Sequence, residues 1–256
     1  MLIAFDIGNS DITIGVHDNT SWIHIWRLPS STMNDVFFAL KIQNRFLEAG
    51  LEISVVNGAV VSSVVPDITD TILRVTQTLF HVSPVLVSVP VYERLPVRVL
   101  NPYQIGTDLV ANSVAAFSHD KRNGRDVVVV DFGTALTFTV VRHDGEIAGV
   151  AILPGLKTAI KSLSQNTAKL FDVPLELPES VLGKDTIHAI QAGLLYGYEG
   201  VVENILKRIR YELNTDIVVI ATGGLCTVVP GLDKQVHHII PTLTLDGLRF
   251  IHRAVH

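Results

Sequence analysis

Apolar and polar positions along the chain fall into two successive, similar patterns. Leu2–Ile7 is an apolar run, and Gly8-Asn9-Ser10-Asp11 follows as a turn. Ile12, Ile14 and Val16 then alternate with smaller or polar residues, and Trp22, His24 and Trp26 alternate again. Period-two alternation between turns predicts an opening meander of three strands. Over Met33–Ala49 the residues Val36, Phe37, Leu40, Phe46 and Leu47 recur at helical spacing, and Gly50 stops the helix. Gly58–Val65 is continuously apolar, the signature of a strand buried on both faces. A helix over Asp67–Leu79, a strand over Pro84–Val89 and a helix over Ile105–Phe117 complete the first half.

The pattern then restarts. Asp126–Asp131 is an apolar strand, Phe132-Gly133-Thr134 a tight turn, Leu136–Val141 a second strand, His143-Asp144-Gly145 a hairpin turn and Ile147–Leu153 a third strand. Helical spacing covers Gly155–Ala168, Thr186–Leu213 and the closing Leu243–Val255. The polar, proline-bearing stretch Phe171–Lys184 reads as a loop, and Ile217–Ala221 as a strand. Each half opens with an apolar strand ending in Asp-x-Gly and a hairpin: FDIGNSDITIGV and VDFGTALTFTVV. A match on this scale is a duplicated domain rather than a solenoid repeat. The boundary is placed near residue 119, giving domains 1–119 and 120–256, with the closing helix 243–255 counted in the second.

Composition supports this picture and narrows the function. A chain of 256 residues with 48% hydrophobic and 18% charged positions buries a substantial core. The net charge of −5 gives no overall field for nucleic acid. Apolar runs such as Val127–Val130 are too short to span a membrane. The start, MLIAFDIGNS, lacks a basic flank and reads as a strand rather than a signal peptide. The one cysteine, Cys226, leaves no internal disulfide or cysteine-rich zinc site, so a cytoplasmic address is the default expectation. The ten histidines are scattered without metal-ligand spacing and read as ordinary surface and core residues.

Four stretches carry candidate chemistry. At a strand end, Asp-x-Gly lets the backbone turn sharply beside an anion, with N–H groups and a hydroxyl aimed at phosphate oxygens and the aspartate able to hold Mg²⁺. One such turn is often only a hairpin; two at matching places predict a phosphate loop on each wall of a cleft. The third stretch, Ala221-Thr222-Gly223-Gly224-Leu225, offers two glycines against which the adenosine end of a nucleotide can lie. The fourth, Asn101 to Asn112, puts Asp108 near a helix N-terminus, either as helix-capping chemistry or as a general base. GxGxxG and GxxxxGK[ST] are absent, and Asp131-Phe132-Gly133 has no HRD partner, so dinucleotide, P-loop and protein-kinase frameworks do not apply.

Taken together, these stretches resemble the type III pantothenate kinases, over almost the whole chain. DIGNS at Asp6–Ser10 and DFGTALTF at Asp131–Phe138 are similar to that family's two phosphate loops. NPYQIGTD at Asn101–Asp108 with VANSVAA at Val110–Ala116, ILPGL at Ile152–Leu156, NTAKL at Asn166–Leu170, GKDT at Gly183–Thr186, QAGLLYGYEG at Gln191–Gly200, ATGGL at Ala221–Leu225 and LTLDGL at Leu243–Leu248 follow in the family's order.

The resemblance implies two ribonuclease-H-like α/β domains of the actin, sugar-kinase and Hsp70 architecture with a central nucleotide cleft. It implies a homodimer that phosphorylates pantothenate with ATP, the first step towards coenzyme A. It also implies Mg²⁺ and a monovalent cation, potassium or ammonium. By position, Asp108 would accept the proton, and Gly106, Thr107 and Thr186 would touch pantothenate, Thr186 from the second subunit. Asp6, Ile7, Gly8, Asn9, Ser10, Asp11, Ile12 and Thr13 would cradle ATP, with Thr134, Gly223 and Gly224 opposite. Asp6 would hold magnesium and Asp131 would face the monovalent cation.

The chain departs from the family pattern at Leu109, where an arginine usually follows the aspartate. It departs again at Val99 in place of a tyrosine, at Thr139 in place of an aspartate, and at Gly149-Val150 in place of Gly-Gly. A leucine cannot replace a guanidinium on a substrate carboxylate; Lys157 or Lys161 is an alternative cation. Two other readings stand beside the pantothenate kinase: a kinase of the same fold for another small hydroxyl compound, and a non-catalytic nucleotide-binding regulatory descendant.

Overall fold

The structure, a computed structural model, describes residues 1–30, 34–119, 122–165 and 173–256. The expected helix start at Met33, the Asn166–Leu170 motif and residue 120, the expected start of the second domain, lie outside the described residues. The chain divides into two compact units, Met1–Ser118 with Leu243–His256, and His119–Thr242.

The first unit holds strands β1 (Leu2–Ile7), β2 (Asp11–His17), β3 (Trp22–Pro29), β4 (Gly58–Ser63) and β5 (Val85–Leu86) in the order β3-β2-β1-β4-β5. β1, β2 and β3 pair antiparallel, and β1, β4 and β5 pair parallel. The helices are α1 (Asp35–Glu48), α2 (Pro66–Phe80), the short α3 (Val89–Tyr92) and α4 (Thr107–Phe117). The second unit holds β6 (Asp126–Phe132), β7 (Ala135–Val141), β8 (Ile147–Pro154), β9 (Ile217–Thr222) and β10 (His238–Ile239), with α5 (Leu156–Gln165), α6 (Thr186–Leu213) and α7 (Leu232–Gln235). Its sheet runs β8-β7-β6-β9-β10 with the same sequence of antiparallel and parallel pairings. The internal duplication read from the two Asp-x-Gly hairpins is thus a duplication of topology.

α8 (Leu243–Val255) closes the chain and belongs to the first unit, whereas the sequence reading counted it in the second. Its packing explains the difference. α4 is buried on every side from Leu109 to Ala116, so it needs a second helix against it. Gly247 supplies the close approach: a Cβ there would come 1.9 Å from the Ala111 carbonyl oxygen. Asn112 of α4 is fully buried, and its Oδ1 accepts a hydrogen bond from Thr244 Oγ1 at 2.8 Å. The VANSVAA and LTLDGL stretches therefore meet as one helix pair. Gly247→Ala is expected to lower the melting temperature by several degrees, because overpacking against backbone costs about 1–3 kcal/mol. Gly197→Ala, where a Cβ meets nothing within 4 Å, is expected to raise it slightly. Thermal unfolding of both variants checks this.

The helices have local causes. Asn34 caps α1 by accepting from the Phe37 amide at 2.8 Å, and Asp185 caps α6 through the His188 amide at 2.9 Å. Pro66 opens α2, and left-handed His81 and Asn214 end α2 and α6. On α1 the buried stripe is Phe38, Ile42 and Phe46, while Val36, Phe37, Leu40 and Leu47 face outward. Two apolar stripes compete on this helix. The aromatic one wins because Phe38 and Phe46 meet the rings of Phe5, Trp26 and Phe80. At the far end of β6, buried Asp126 accepts from the His143 amide at 2.7 Å and pairs with Arg142 Nε at 3.2 Å. It anchors the β7–β8 turn.

Candidate active site

Polar residues gather at the carboxyl ends of the parallel strands, where open α/β sheets bind ligands. In the first unit, Asp6 stands opposite Thr13 on β2 and Ser62 on β4. In the second, Asp131 stands opposite Thr137 on β7 and Thr222 on β9. The two aspartates thus occupy the same node, each between two hydroxyl-bearing neighbours. A backbone bond from the glycine closes each loop, the Gly8 amide to Asp11 O three residues on and the Gly133 amide to Ala135 O two residues on, both at 3.0 Å.

Each loop is braced from outside. Ser30 donates its hydroxyl to Gly8 O, and the Ser30 amide donates to Ser10 O at 2.9 Å. Thr134 O accepts from the Gly155 amide at 2.9 Å and from Thr158 Oγ1 at 2.6 Å. Gly155 has no room for a side chain: a Cβ would fall 2.2 Å from Gly133 O and 2.6 Å from Thr134 O. The PGL stretch is therefore the support of the second loop. Gly223, at φ 93°, packs on the end of β6; a Cβ there would meet Asp131 Oδ1 and the Phe132 backbone at 2.6 Å. Asn9, Ser10, Asp11, Thr134 and Gly224 are exposed, whereas the side chains of Ile7 and Ile12 are buried in the core. Those two can face a nucleotide only with their main chain.

Asp108 joins the first of these nodes. Thr107 Oγ1 lies 2.9 Å from Ser62 Oγ and donates to Ser63 O at 3.1 Å, so the start of α4 is tied to the strand next to Asp6. Gly106 precedes α4 without a side-chain cap, and a Cβ on it would fall 2.4 Å from Asp108 Oδ1. The same oxygen accepts the Leu109 amide at 2.8 Å. Burial raises the Asp108 pKa above the ordinary carboxylate value, and this amide only partly offsets it. Tyr92 is buried nearby, its phenol pushed up by burial and then by the charge of Asp108.

Leu109 itself is buried, and the hydroxyl of Thr139, also buried, has no hydrogen-bond partner among the described residues. Thr186 is exposed at the start of α6, beside a shallow depression of about 660 Å³ lined by Leu163, Gly183, Lys184, Asp185, Ile190 and Leu194. Ser30, Ser62, Thr158 and Tyr92 escaped the sequence reading. Ser62 carried a signal, as a polar pair with Ser63 ending an apolar strand; the other three carried none.

A pair of topologically identical five-stranded units, each with a braced Asp-x-Gly loop, defines the actin, sugar-kinase and Hsp70 class of ATPase fold. A solved member, MreB 5 of Spiroplasma citri bound to AMPPNP, superposes with a TM-score of 0.55 at 8% identity, covering 99% of this chain and 96% of that one. The family model described as type III pantothenate kinase matches residues 2–208. The type III pantothenate kinase of Myxococcus xanthus is 36% identical over 257 residues, covering 100% of this chain and 99% of its own length. That of Roseiflexus sp. is 38% identical, covering 98% of each chain. The chain belongs to the type III pantothenate kinase family.

Proposed function

We propose that the chain transfers the γ-phosphoryl group of ATP to the hydroxyl of pantothenate, the first step towards coenzyme A, with Asp108 as the proton acceptor. The observation that carries this reading is the Ser62–Thr107 bridge, which sets a desolvated carboxylate beside the first of two matching phosphate loops. The residues Asp6 to Thr13 cradle the phosphates, helped by Thr134, Gly223 and Gly224. Gly106 and Thr107 position the substrate hydroxyl at Asp108, which takes its proton as the oxygen attacks phosphorus.

The residues fit the implied ions. Among the described residues no three His, Cys, Asp or Glu converge. Mg²⁺ needs no such cage, since it takes one or two carboxylates and completes its shell with water and phosphate oxygens. Asp6, flanked by Thr13 and Ser62, suits it; when bound it neutralises charge on the transferred phosphate. Asp131, whose Oδ1 lies against Gly223, is a single carboxylate among backbone groups and suits a potassium or ammonium ion.

A homodimer is part of this proposal, supported by exposed apolar side chains in the second unit: Val150 and Ile152 on the edge strand β8, with Leu163, Val181, Leu182 and Ile187. Thr186 beside Ile187 would then reach pantothenate in the partner subunit. No helix among the described residues is long and apolar enough to cross a membrane; a cytoplasmic address belongs to the proposal. The buried Leu109, which offers no cation to a substrate carboxylate, speaks for another hydroxyl substrate, whereas the full-length relatives named type III pantothenate kinase speak for pantothenate.

The test is phosphorylation of pantothenate by purified protein, with Mg²⁺ and with potassium or ammonium present or withheld. Turnover that requires the monovalent cation supports the reading. ATP binding without turnover at millimolar pantothenate would sink it. A pH profile adds a second check. A base works only when ionised, so kcat/KM is expected to fall as pH drops through the raised pKa of Asp108, above the ordinary carboxylate value of about 4. A profile flat down to that value would remove Asp108 from the role.

A further inference from the structure

Away from both loops, α8 gathers positive charge beside the hairpin of β2 and β3. Arg249 and Arg253 lie one helical turn apart on α8. His17 ends β2 with 4% of its surface exposed, and its ring stands edge-on to Trp22 at 4.8 Å. Trp22 lies against Gly15, where a Cβ would come 2.7 Å from the indole. Burial lowers the pKa of His17, and the charges of Arg249 and Arg253 lower it further. Trp22 links them: its ring packs on His17 and its indole N–H reaches Asp246, one turn before Arg249 on α8, so the three side chains belong to one corner of the first unit.

The acidic groups of this corner are already committed. Asp18 accepts from Thr20 Oγ1 at 2.6 Å and from the amides of Thr20 and Ser21, both at 2.8 Å. Asp246 Oδ1 accepts the Trp22 indole N–H at 2.9 Å. Among the described residues neither Arg249 nor Arg253 makes an ion pair, and Arg249 Nε is buried without a hydrogen-bond partner. The Arg249 guanidinium lies 4.5 Å over the Phe250 ring, which orients it without satisfying its donors. The imidazole tautomer is set by geometry: Nδ1 accepts the Asn19 amide at 3.0 Å, so Nε2 carries the proton and is a donor.

Cations near a helix C-terminus need no ligand, since the helix dipole favours them. That accounts for Arg253 in the last turn. It does not account for Arg249 in the middle of the helix, for a buried Nε without an acceptor, or for burial beside a like charge that lowers its pKa. A doubly charged oxyanion answers all three, because guanidinium forks match phosphate oxygens and the imidazole N–H adds a third donor.

We propose that Arg249, Arg253 and His17 form a binding site for an oxyanion of the phosphate class, separate from the phosphate loops at Gly8 and Gly133. Inorganic phosphate is the probe, and thermal unfolding of the full chain is the first readout. Phosphate is expected to raise the melting temperature beyond sodium chloride of equal ionic strength. Exposed Arg253→Gln is expected to weaken that effect about tenfold, the cost of one charged hydrogen bond. ATP-dependent stabilisation should stay as in the parent. Arg249→Met should act in the same direction. Because Arg249 is partly buried and that variant can fail to fold, the His17 imidazole resonance in the parent protein is followed too, and phosphate is expected to shift it. The proposal is overturned by a parent protein with no phosphate-specific stabilisation, by a silent His17 resonance, or by stabilisation that Arg253→Gln retains in full. The last result would place the phosphate in the nucleotide loops.

Discussion

Replacing Asp108 by asparagine is expected to cut pantothenate phosphorylation about 10²–10⁴-fold while leaving the melting temperature equal or higher. The first half follows from chemistry: the amide cannot accept a proton from the attacking hydroxyl. The second half follows from linkage. Burial raises the Asp108 pKa above its unfolded value, so the folded state holds this proton more tightly than the unfolded chain. The contribution favours folding at low pH and is lost as pH rises through the raised pKa. At neutral pH the ionised carboxylate is therefore a cost, and asparagine removes it. The substituted Oδ1 can still accept the Leu109 amide that Asp108 Oδ1 accepts at 2.8 Å. A plain helix-capping role predicts unchanged turnover and little change in melting temperature, since asparagine caps a helix about as well as aspartate. Steady-state kinetics and thermal unfolding of one variant separate the two roles that the sequence leaves open.

Much of the fold was legible because its causes are local. Ile12, Ile14 and Val16 and then Trp22, His24 and Trp26 alternate along β2 and β3, whereas β1 and β6 are unbroken apolar runs ended by their Asp-x-Gly turns. The helix Thr186–Leu213 begins at an aspartate cap and stops at a left-handed asparagine. The errors are non-local. α4 begins at Thr107, two residues later than its periodicity suggests, because Gly106 keeps extended backbone so that the Asp108 carboxylate can lie against it. The strand expected over Pro84–Val89 shortens to Val85–Leu86, and Val89–Tyr92 turns helical. The two-residue strand β10 is held by pairing with β9 and has no pattern of its own.

The site divides in the same way. Asp6, Asp131 and Asp108 announce themselves by their glycine neighbours. Ser30, Thr158 and Tyr92 act through the tertiary fold alone, and no spacing marks them. For the closing helix, periodicity says which face is apolar and not which unit covers it. Gly247 against Ala111 decides that.

Gly155→Ala is expected to weaken ATP binding by about tenfold or more, because the methyl would displace backbone rather than a side chain. Its Cβ would sit 2.2 Å from Gly133 O and 2.6 Å from Thr134 O, and neither carbonyl can rotate away as a side chain could. The loop of Gly133 and Thr134 must move, and it loses the Gly155 amide bond to Thr134 O with it. Thr158→Val separates bracing from crowding. It deletes the hydroxyl bond to the same carbonyl, about 1 kcal/mol and a several-fold loss in affinity, without adding bulk. Calorimetric titration of each variant with a non-hydrolysable ATP analogue gives the order parent, Thr158→Val, Gly155→Ala. Should Gly155→Ala melt earlier yet bind the analogue as the parent does, Gly155 would serve folding alone. The loop carrying Thr134 would then lie outside the nucleotide site, leaving Asp6 to Thr13 to hold the phosphates.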